Sequence, residues 1–303
     1  MTGAAAAGTI AAAAGLAGCS QPASDGGAQA SPSDETASGA YSWETPPAPI
    51  DDADIADTYD CEVCVVGAGL SGVTTALRAA EEGLNVLVLQ NLNEANTQGT
   101  GASAVNSKRQ IDQGLEISDA DRAELMRIKC SLEGGLVNYD LFNLWMDNSG
   151  AAIDYVCDHS MKNGVDAMFD VIENWREADD WVKTFQISSM FAGETESGAL
   201  ALVHALVPQV EEAGGTFVYG VTAQQLGTDE SGRVNAVFGQ KSDGSYVKVN
   251  ASKAVVICTG GYEGNTEMRQ KYLPHAMAFD TITSNQGEGI LMGMWVGAKV
   301  DDP

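Results

Sequence analysis

The chain has 303 residues, of which 44% are hydrophobic and 34 are glycine, so it can bury the core of one large or two ordinary domains. With 42 acidic and 16 basic side chains, its formal net charge is −26. This charge repels polyanions and no basic patch interrupts it, so the sequence predicts neither a nucleic-acid partner nor attraction to an anionic membrane surface.

The amino terminus has the composition of an export signal. Residues 1–19 are small and apolar and end in Leu-Ala-Gly-Cys, the pattern of a bacterial lipoprotein signal whose cysteine, Cys19, is acylated after cleavage. We therefore expect export to the cell envelope and a membrane tether through Cys19. No arginine or lysine precedes the apolar run, which indicates a truncated signal whose true start lies upstream of Met1. A disordered Ala/Gly leader is the alternative.

Residues 20–50 are rich in Ser, Ala, Gly, Pro and Asp and have almost nothing to bury, which predicts a disordered linker. No later segment reaches the roughly 18 consecutive apolar residues that a bilayer crossing needs. Residues 51–303 are predicted to form one α/β domain.

The first part of this domain has the pattern of a βαβ unit. A β-branched run covers 60–66, a helical pattern covers 71–82 and a buried run covers 85–89. Two amphipathic helices are predicted next, at 118–134 and 138–164, with Ser118 as a helix cap. Their apolar stripes consist of Leu125, Ile128, Leu132, Leu141, Leu144 and Trp145.

The second part of the domain is predicted to run from a helix into several strands. The helix covers 198–213 and ends at a pair of glycines. A meander beside the main sheet is predicted from strands at 217–219, 223–228, 234–238 and 247–249. A fully buried strand at 254–258 and a helix at 287–296 follow.

A glycine-rich turn joins the first strand to the first helix. Gly67, Gly69 and Gly72 form a G-x-G-x-x-G motif in which each glycine has its own purpose. The first permits a tight turn, the second lets the backbone approach a pyrophosphate, and the third allows close packing of helix on strand. Free N–H groups at the helix start, near Leu70 and Ser71, then face the phosphates. The motif predicts nucleotide binding.

The ribose end of such a site usually has an acidic residue at the end of the second strand. Here that position holds Gln90, followed by Asn91. A glutamine accepts a hydrogen bond but brings no charge, so we expect a weaker, neutral contact with the ribose.

Four segments resemble, in family order, the flavoprotein family of fumarate reductase, succinate dehydrogenase and soluble flavocytochrome c fumarate reductases. They are VVGAGLSGVTTALRAAEEGLNVLVLQ, GTGASAVN from Gly99, ASKAVVICTGGYEGNTEM from Ala251 and GEGILMGMWVGAKVDD from Gly287. The resemblance covers residues 60–303. It implies a Rossmann-like FAD-binding domain, a parallel sheet flanked by helices with a β-meander.

The resemblance also implies which residues bind FAD. Glu288 stands where the family usually has aspartate, which leaves its contact with the ribityl chain open. The implied contacts are Gly67, Gly69, Leu70, Ser71 and Gly72 at the pyrophosphate, Gln90 and Asn91 at the ribose, Gly101, Ala102 and Ser103 near the flavin ring, Ala223 near adenine, and Thr259, Gly260 and Glu288 along the dinucleotide.

Family enzymes move a hydride between flavin N5 and an activated carbon–carbon bond, so the resemblance implies a small unsaturated, carboxylate-bearing substrate and an electron donor that the sequence does not identify. The family's catalytic arginine and histidine residues lie in a capping domain beyond the segments matched here. We therefore assign no catalytic residue. We expect the capping domain and the carboxyl-terminal return to be missing from this chain, which would then show no appreciable turnover alone; a second polypeptide could carry them.

Two other functions are alternatives. One is a non-catalytic or vestigial lipid-anchored protein that keeps the nucleotide-binding fold. The other is an NAD-dependent dehydrogenase that uses the same glycine turn, although plain nicotinamide domains do not need the Thr-Gly-Gly and Gly-Glu-Gly segments.

Cysteines and histidines give no further site. Cys61 and Cys64 lie in the first strand, where residues three apart point to opposite faces, so we expect buried thiols and neither a disulfide nor a metal site. Structural roles are predicted for His159, His204 and His275.

Overall fold

A computed structural model describes residues 41–169, 185, 187–277 and 284–300, and these residues form eight strands and seven α-helices. The strands are β1 Ile55–Val66, β2 Val86–Gln90, β3 Asp166–Phe169, β4 Ser189–Ala192, β5 Thr216–Tyr219, β6 Val221–Thr228, β7 Val234–Lys241 and β8 Tyr246–Ile257. The helices are α1 Leu70–Glu81, α2 Lys108–Asp112, α3 Asp119–Leu132, α4 Tyr139–Ser160, α5 Gly198–Glu212, α6 Thr266–Tyr272 and α7 Glu288–Trp295.

Six strands form one sheet in the order β5-β2-β1-β8-β7-β6. The neighbours β5, β2, β1 and β8 are parallel, and β7 and β6 continue the sheet as antiparallel strands. This arrangement confirms the predicted α/β class. The strand predicted at 217–219 belongs with β2 and not with the meander, because α5 returns the chain to the end of the sheet where a parallel strand must start.

The sequence predicts two short strands, 247–249 and 254–258, where the structure has the single strand β8. The register of β8 against β1 shifts by one residue after Cys61. Such a bulge lets a strand continue through residues that break its alternation, here the exposed Ser252 and Lys253.

A second bulge places Cys61 and Cys64 on the same face of β1, so the prediction of opposite faces is wrong. The N–H groups of Glu62 and Val63 both donate to the carbonyl oxygen of Asn85, at 2.8 and 3.1 Å, which shifts the alternation of β1 by one residue. The two thiols share one core cluster, and the interaction between them lowers the pKa of Cys61 and raises that of Cys64. Both are buried and free, as predicted.

Hydrophobic cores cover both faces of the sheet. On one face α1, α4 and α5 pack against Val63 and Val65 of β1. On the other face the meander and Met292 of α7 pack against Cys64 and Val66. Helices on both sides therefore fix the end of β1, where the glycine turn begins.

The helix starts are confirmed, but the predicted stripes are partly wrong. Ser118 caps α3 by accepting from Asp121 N at 3.3 Å, and Leu125 is buried. In the amino-terminal part of α4 only Phe142 and Trp145, both half-buried, pack against a core cluster, and the fully buried face begins at Met146. The prediction of a fully buried strand at 254–258 is also wrong, because Ile257 is exposed and the other four residues are half-buried. The predicted buried residues that are exposed are Leu132 at 79%, Leu141 at 63%, Leu144 at 60% and Ile257 at 38%.

The packed part of the chain begins before the predicted boundary at residue 51. Ser42–Glu44 form a 3-10 turn, and Trp43 is 6% exposed between α6 and α7. The predicted export signal with Cys19 and the predicted linker up to residue 40 lie outside the described residues. No helix in the described part of the chain combines the length and apolar character that a bilayer crossing requires.

Candidate functional site

A cavity of about 800 Å³ opens at the carboxyl ends of β1 and β2. We call residues 66–75 and 89–98 its glycine wall, and residues 258–260 and 284–288 its return wall. Ligands of open α/β sheets bind at this end of the strands. The predicted contact residues that line the cavity are Gly67, Gly69, Leu70, Ser71, Gln90, Asn91, Ala102, Ala223, Thr259, Gly260 and Glu288.

The glycine turn has the geometry that its sequence predicts. Gly67 has φ +102°, and a Cβ there would lie 2.4 Å from the carbonyl oxygen of Cys258. A Cβ on Gly72 would lie 1.9 Å from the carbonyl oxygen of Gly67, so this glycine permits the close packing of α1 on β1. A Cβ on Gly69 would meet no protein atom closer than 3.6 Å, so its absence leaves space for a ligand.

The start of α1 presents unpaired N–H groups to the cavity. The first helical hydrogen bond runs from Val73 N to Gly69 O at 2.9 Å, which leaves the preceding amides without helical acceptors. Leu70 N has one long contact, 3.4 Å, to the hydroxyl of Thr97. Together with the helix dipole, these amides form an anion site suited to a diphosphate.

The described lining of the cavity contains no arginine, lysine or histidine. Its ionisable side chains are Glu288, Tyr155 and Cys258. Burial, and the hydrogen bond that it donates to Glu81 at 2.6 Å, raise the pKa of Tyr155, which therefore stays protonated. Among these residues, only backbone amides and neutral side chains remain to balance the charge of a bound diphosphate.

Gln90 is buried and its side chain organises the loop after β2. Its amide nitrogen donates to the carbonyl oxygen of Glu94 at 3.1 Å, and its Oε1 accepts from Asn91 N at 3.1 Å. Oε1 keeps one lone pair for a ligand. The ribose contacts of Gln90 and Asn91 stay predictions.

The return wall contains an unsatisfied polar atom. The hydroxyl of Thr259 is buried and has no hydrogen-bond partner among the described residues. Leaving such a group unpaired costs about 1–3 kcal/mol, so a polar ligand here would satisfy it. α7 packs directly behind it, because a Cβ on Gly289 would lie 2.2 Å from the Thr259 hydroxyl. The orphaned hydroxyl, the open space at Gly69 and the free amides of α1 fit a dinucleotide such as FAD.

The structure does not bring three predicted contacts into the lining. Gly72 acts through packing, as described above. A Cβ on Gly101 would lie 1.6 Å from the carbonyl oxygen of Ser189, and the Ser103 hydroxyl faces that of Ser188 at 3.4 Å. These two residues hold the 99–104 loop against β4, and their contact with a flavin ring stays a prediction.

Sequence reasoning missed several lining residues. Asn96 and Thr97 belong to the polar stretch after β2, a signal that could have found them. Asn285 reaches the return wall because its carbonyl oxygen accepts from Gly264 N at 2.7 Å. Apolar residues from distant elements, which no local pattern indicates, are Ile153, Val156, Phe191 and Leu202.

Histidines lie outside this cavity. His204 contacts Glu196 through Nδ1 at 2.9 Å and the carbonyl oxygen of Ala95 through Nε2 at 3.2 Å. His159 pairs with Glu81 at 3.2 Å. These contacts fit the predicted structural roles. No group of three or more metal-ligating side chains is found in the ranges that the structure covers.

Comparison with known proteins identifies the family. The profile of the family described as FAD binding domain matches residues 62–303. The chain belongs to this family. The chain is similar to a vinyl phenol reductase of Lactiplantibacillus plantarum, at 26% identity over 80% of this chain and 46% of the relative. It is similar to a urocanate reductase of Eggerthella lenta, at 26% identity over 81% of this chain and 39% of the relative.

Solved structures show the same fold. The open conformation of a flavocytochrome c3 fumarate reductase superimposes with a TM-score of 0.64 at 20% identity, over 86% of this FAD binding domain protein and 45% of that chain. A 3-ketosteroid-Δ4-(5α)-dehydrogenase of Rhodococcus jostii gives a TM-score of 0.65 at 20% identity, over 83% of this chain and 57% of that one.

These findings confirm FAD as the cofactor and the fumarate reductase-like flavoprotein family, of which this chain matches the amino-terminal FAD-binding part. The curated relatives are named as reductases, which supports the predicted class of FAD-dependent oxidoreductase. The chain spans less than half the length of these curated relatives. An NAD-dependent dehydrogenase is not supported.

Proposed function

We propose that this chain is the FAD-binding part of an exported reductase that adds a hydride to the activated C=C bond of a small unsaturated substrate. Relatives are named for vinyl phenol, urocanate and fumarate, and the last two compounds are unsaturated carboxylates. The observation that carries the proposal is the cleft itself, a cavity large enough for a dinucleotide that is lined by the start of α1 and by Thr259, whose buried hydroxyl has no partner among the described residues.

FAD, once bound and reduced by an electron donor, would supply the hydride from its N5 position and return to its oxidised state. The chain's own residues hold and orient it. The amides at the start of α1 would hold the diphosphate, Gly69 would give the backbone room to approach it, and Thr259 would hold it from the return wall. Apolar side chains of α4 and α5 exclude water from the inner end of the cavity.

Activation of a carboxylate substrate requires cations and a proton donor. The cavity lining described here has neither arginine nor histidine. We propose that a capping part supplies them, either as a further segment or as a second polypeptide.

The test uses the purified 303-residue chain with FAD. Calorimetry should give one FAD per chain, while dye oxidation with fumarate, urocanate or a vinyl phenol should show no appreciable turnover. Adding a capping polypeptide that bears arginine and histidine should restore turnover. Folded protein that does not bind FAD would refute the proposal. Rapid enoate-dependent oxidation by the chain alone would refute the need for a cap, and FAD binding that no cap activates would favour a non-catalytic protein.

Export is proposed from residues 1–19 and is tested separately. Expression in a bacterial host with a labelled fatty acid should label the chain, and C19S should remove the label. The expression uses the gene with its upstream codons, and a product that still stays unlabelled and in the cytosol would refute the lipoprotein signal and favour the Ala/Gly leader.

A further inference from the structure

We propose that the segment of residues 41–44, called here the Trp43 latch, positions the return wall and thereby sets the affinity for FAD. This inference rests on FAD binding and not on turnover. The segment falls within the predicted linker, where its composition gives no sign of a role in the cofactor site.

The latch is held by buried aromatic packing. Trp43 is 6% exposed and packs on Met268 of α6 and Leu291 of α7. Its ring lies 5.8 Å from that of Tyr41 and 6.0 Å from that of Tyr272, between ring centroids. These distances are in the range of attractive aromatic pairs.

Polar contacts fix the same segment to both helices. The backbone N–H and hydroxyl of Ser42 donate to Glu267 Oε2 at 3.2 and 2.8 Å. Lys271 pairs with Glu44 at 2.9 Å, and its ammonium lies 4.8 Å from the centroid of the Trp43 ring. Trp295 Nε1, on α7, donates to the carbonyl oxygen of Trp43 at 2.9 Å.

The helix that the latch holds forms the back of the return wall. Glu288, at the start of α7, lines the cavity, and Gly289 packs against the Thr259 hydroxyl. Leu291 and Trp295, one and two turns further along α7, carry the latch contacts. Because one short helix bears both sets of contacts, loosening the latch must loosen the wall that faces FAD.

A second route leads through aromatic rings. Trp43 contacts Tyr272, and Tyr272 contacts Tyr262 edge-on at 5.9 Å between centroids. Tyr262 follows the Thr259–Gly261 loop directly and packs beside Gly287. The positions of both segments of the return wall, 258–260 and 284–288, therefore depend on the packing of the Trp43 indole.

The test compares W43A, W43F and W145A in the full chain, by FAD calorimetry and by hydrogen exchange of α7 in the apoprotein. Trp145 is a half-buried indole stacked on Phe142 outside the cavity lining, so W145A is the matched control for loss of a packed tryptophan. W43A should raise the Kd for FAD by about tenfold and speed exchange in α7. W43F keeps a ring and removes an indole nitrogen that has no acceptor in the described residues, so it should bind FAD nearly as well as the wild type.

An unchanged Kd in W43A, or equal losses in W43A and W145A, would overturn the proposal. If W43A does not fold, W295F serves instead, because it removes the hydrogen bond from α7 to the latch and keeps an aromatic ring at that position. It should weaken FAD binding about threefold, and wild-type affinity there would refute the latch. If the wild-type chain itself binds no FAD, the assignment of the cofactor is refuted, and the Trp43 latch is refuted with it.

Discussion

The glycine wall is built from residues 66–75 and 89–98 of one βαβ unit, whereas the return wall joins residues 258–260 to residues 284–288 and is supported by α7 and the Trp43 latch. In the glycine wall, backbone contacts fix the geometry, and a Cβ on Gly72 would collide with the backbone. In the return wall, a side-chain hydroxyl is left unpaired and packing holds it in place. A substitution that disturbs the backbone packing of the glycine wall should therefore lower the stability of the fold. A substitution in the return wall should mainly lower the affinity for FAD.

The largest effect should come from G72A. The added methyl would lie 1.9 Å from the carbonyl oxygen of Gly67, so α1 must move away from β1. We expect a loss of about 3 kcal/mol in the free energy of unfolding, measured by urea denaturation of the apoprotein. Stability equal to that of the wild type would show that the helix adjusts freely and that the wall is not rigid.

G69A should separate ligand affinity from folding within the same wall. The added methyl would meet no protein atom closer than 3.6 Å, so the apoprotein should unfold at the wild-type urea concentration. The methyl would fill space needed by the diphosphate, and FAD affinity should fall roughly 10- to 100-fold, by calorimetry. Unchanged affinity would place the diphosphate elsewhere.

T259V tests the return wall in the same way. Valine keeps the shape of threonine and removes the unpaired hydroxyl, so the apoprotein should be as stable as the wild type or about 1 kcal/mol more stable. FAD should bind about tenfold more weakly because it loses a hydrogen-bond partner. If T259V lowered the stability of the apoprotein, the Thr259 hydroxyl would instead have a hydrogen-bond partner within the protein.

The smallest effect concerns salt. A site with basic side chains loses affinity for an anionic ligand steeply as the salt concentration rises. The described lining of this cavity has no basic side chain, and the formal net charge of the chain is −26. Raising salt from about 50 to about 500 mM should screen the repulsion of the FAD diphosphate and strengthen binding by no more than about threefold. A steep decrease would reveal cations near the phosphates.

Much of the glycine wall could be predicted because its signals are local. Gly67, Gly69 and Gly72 show their purposes through their spacing, and Ser118 marks the start of α3. Exposed Leu132 and the shared face of Cys61 and Cys64 could not be predicted. Helical periodicity does not say how far a helix extends beyond its core, and a bulge depends on the partner strand.

The sequence by itself determined the strand–turn–helix, the family resemblance and the cofactor, because steric limits on a phosphate-binding turn act between neighbouring residues. Only the tertiary structure decided that β8 is continuous, that β5 is parallel to β2, that the Thr259 hydroxyl has no described partner and that Trp43 packs behind the cleft. These features depend on contacts between residues up to 252 positions apart, as between Trp43 and Trp295, and no local pattern encodes them.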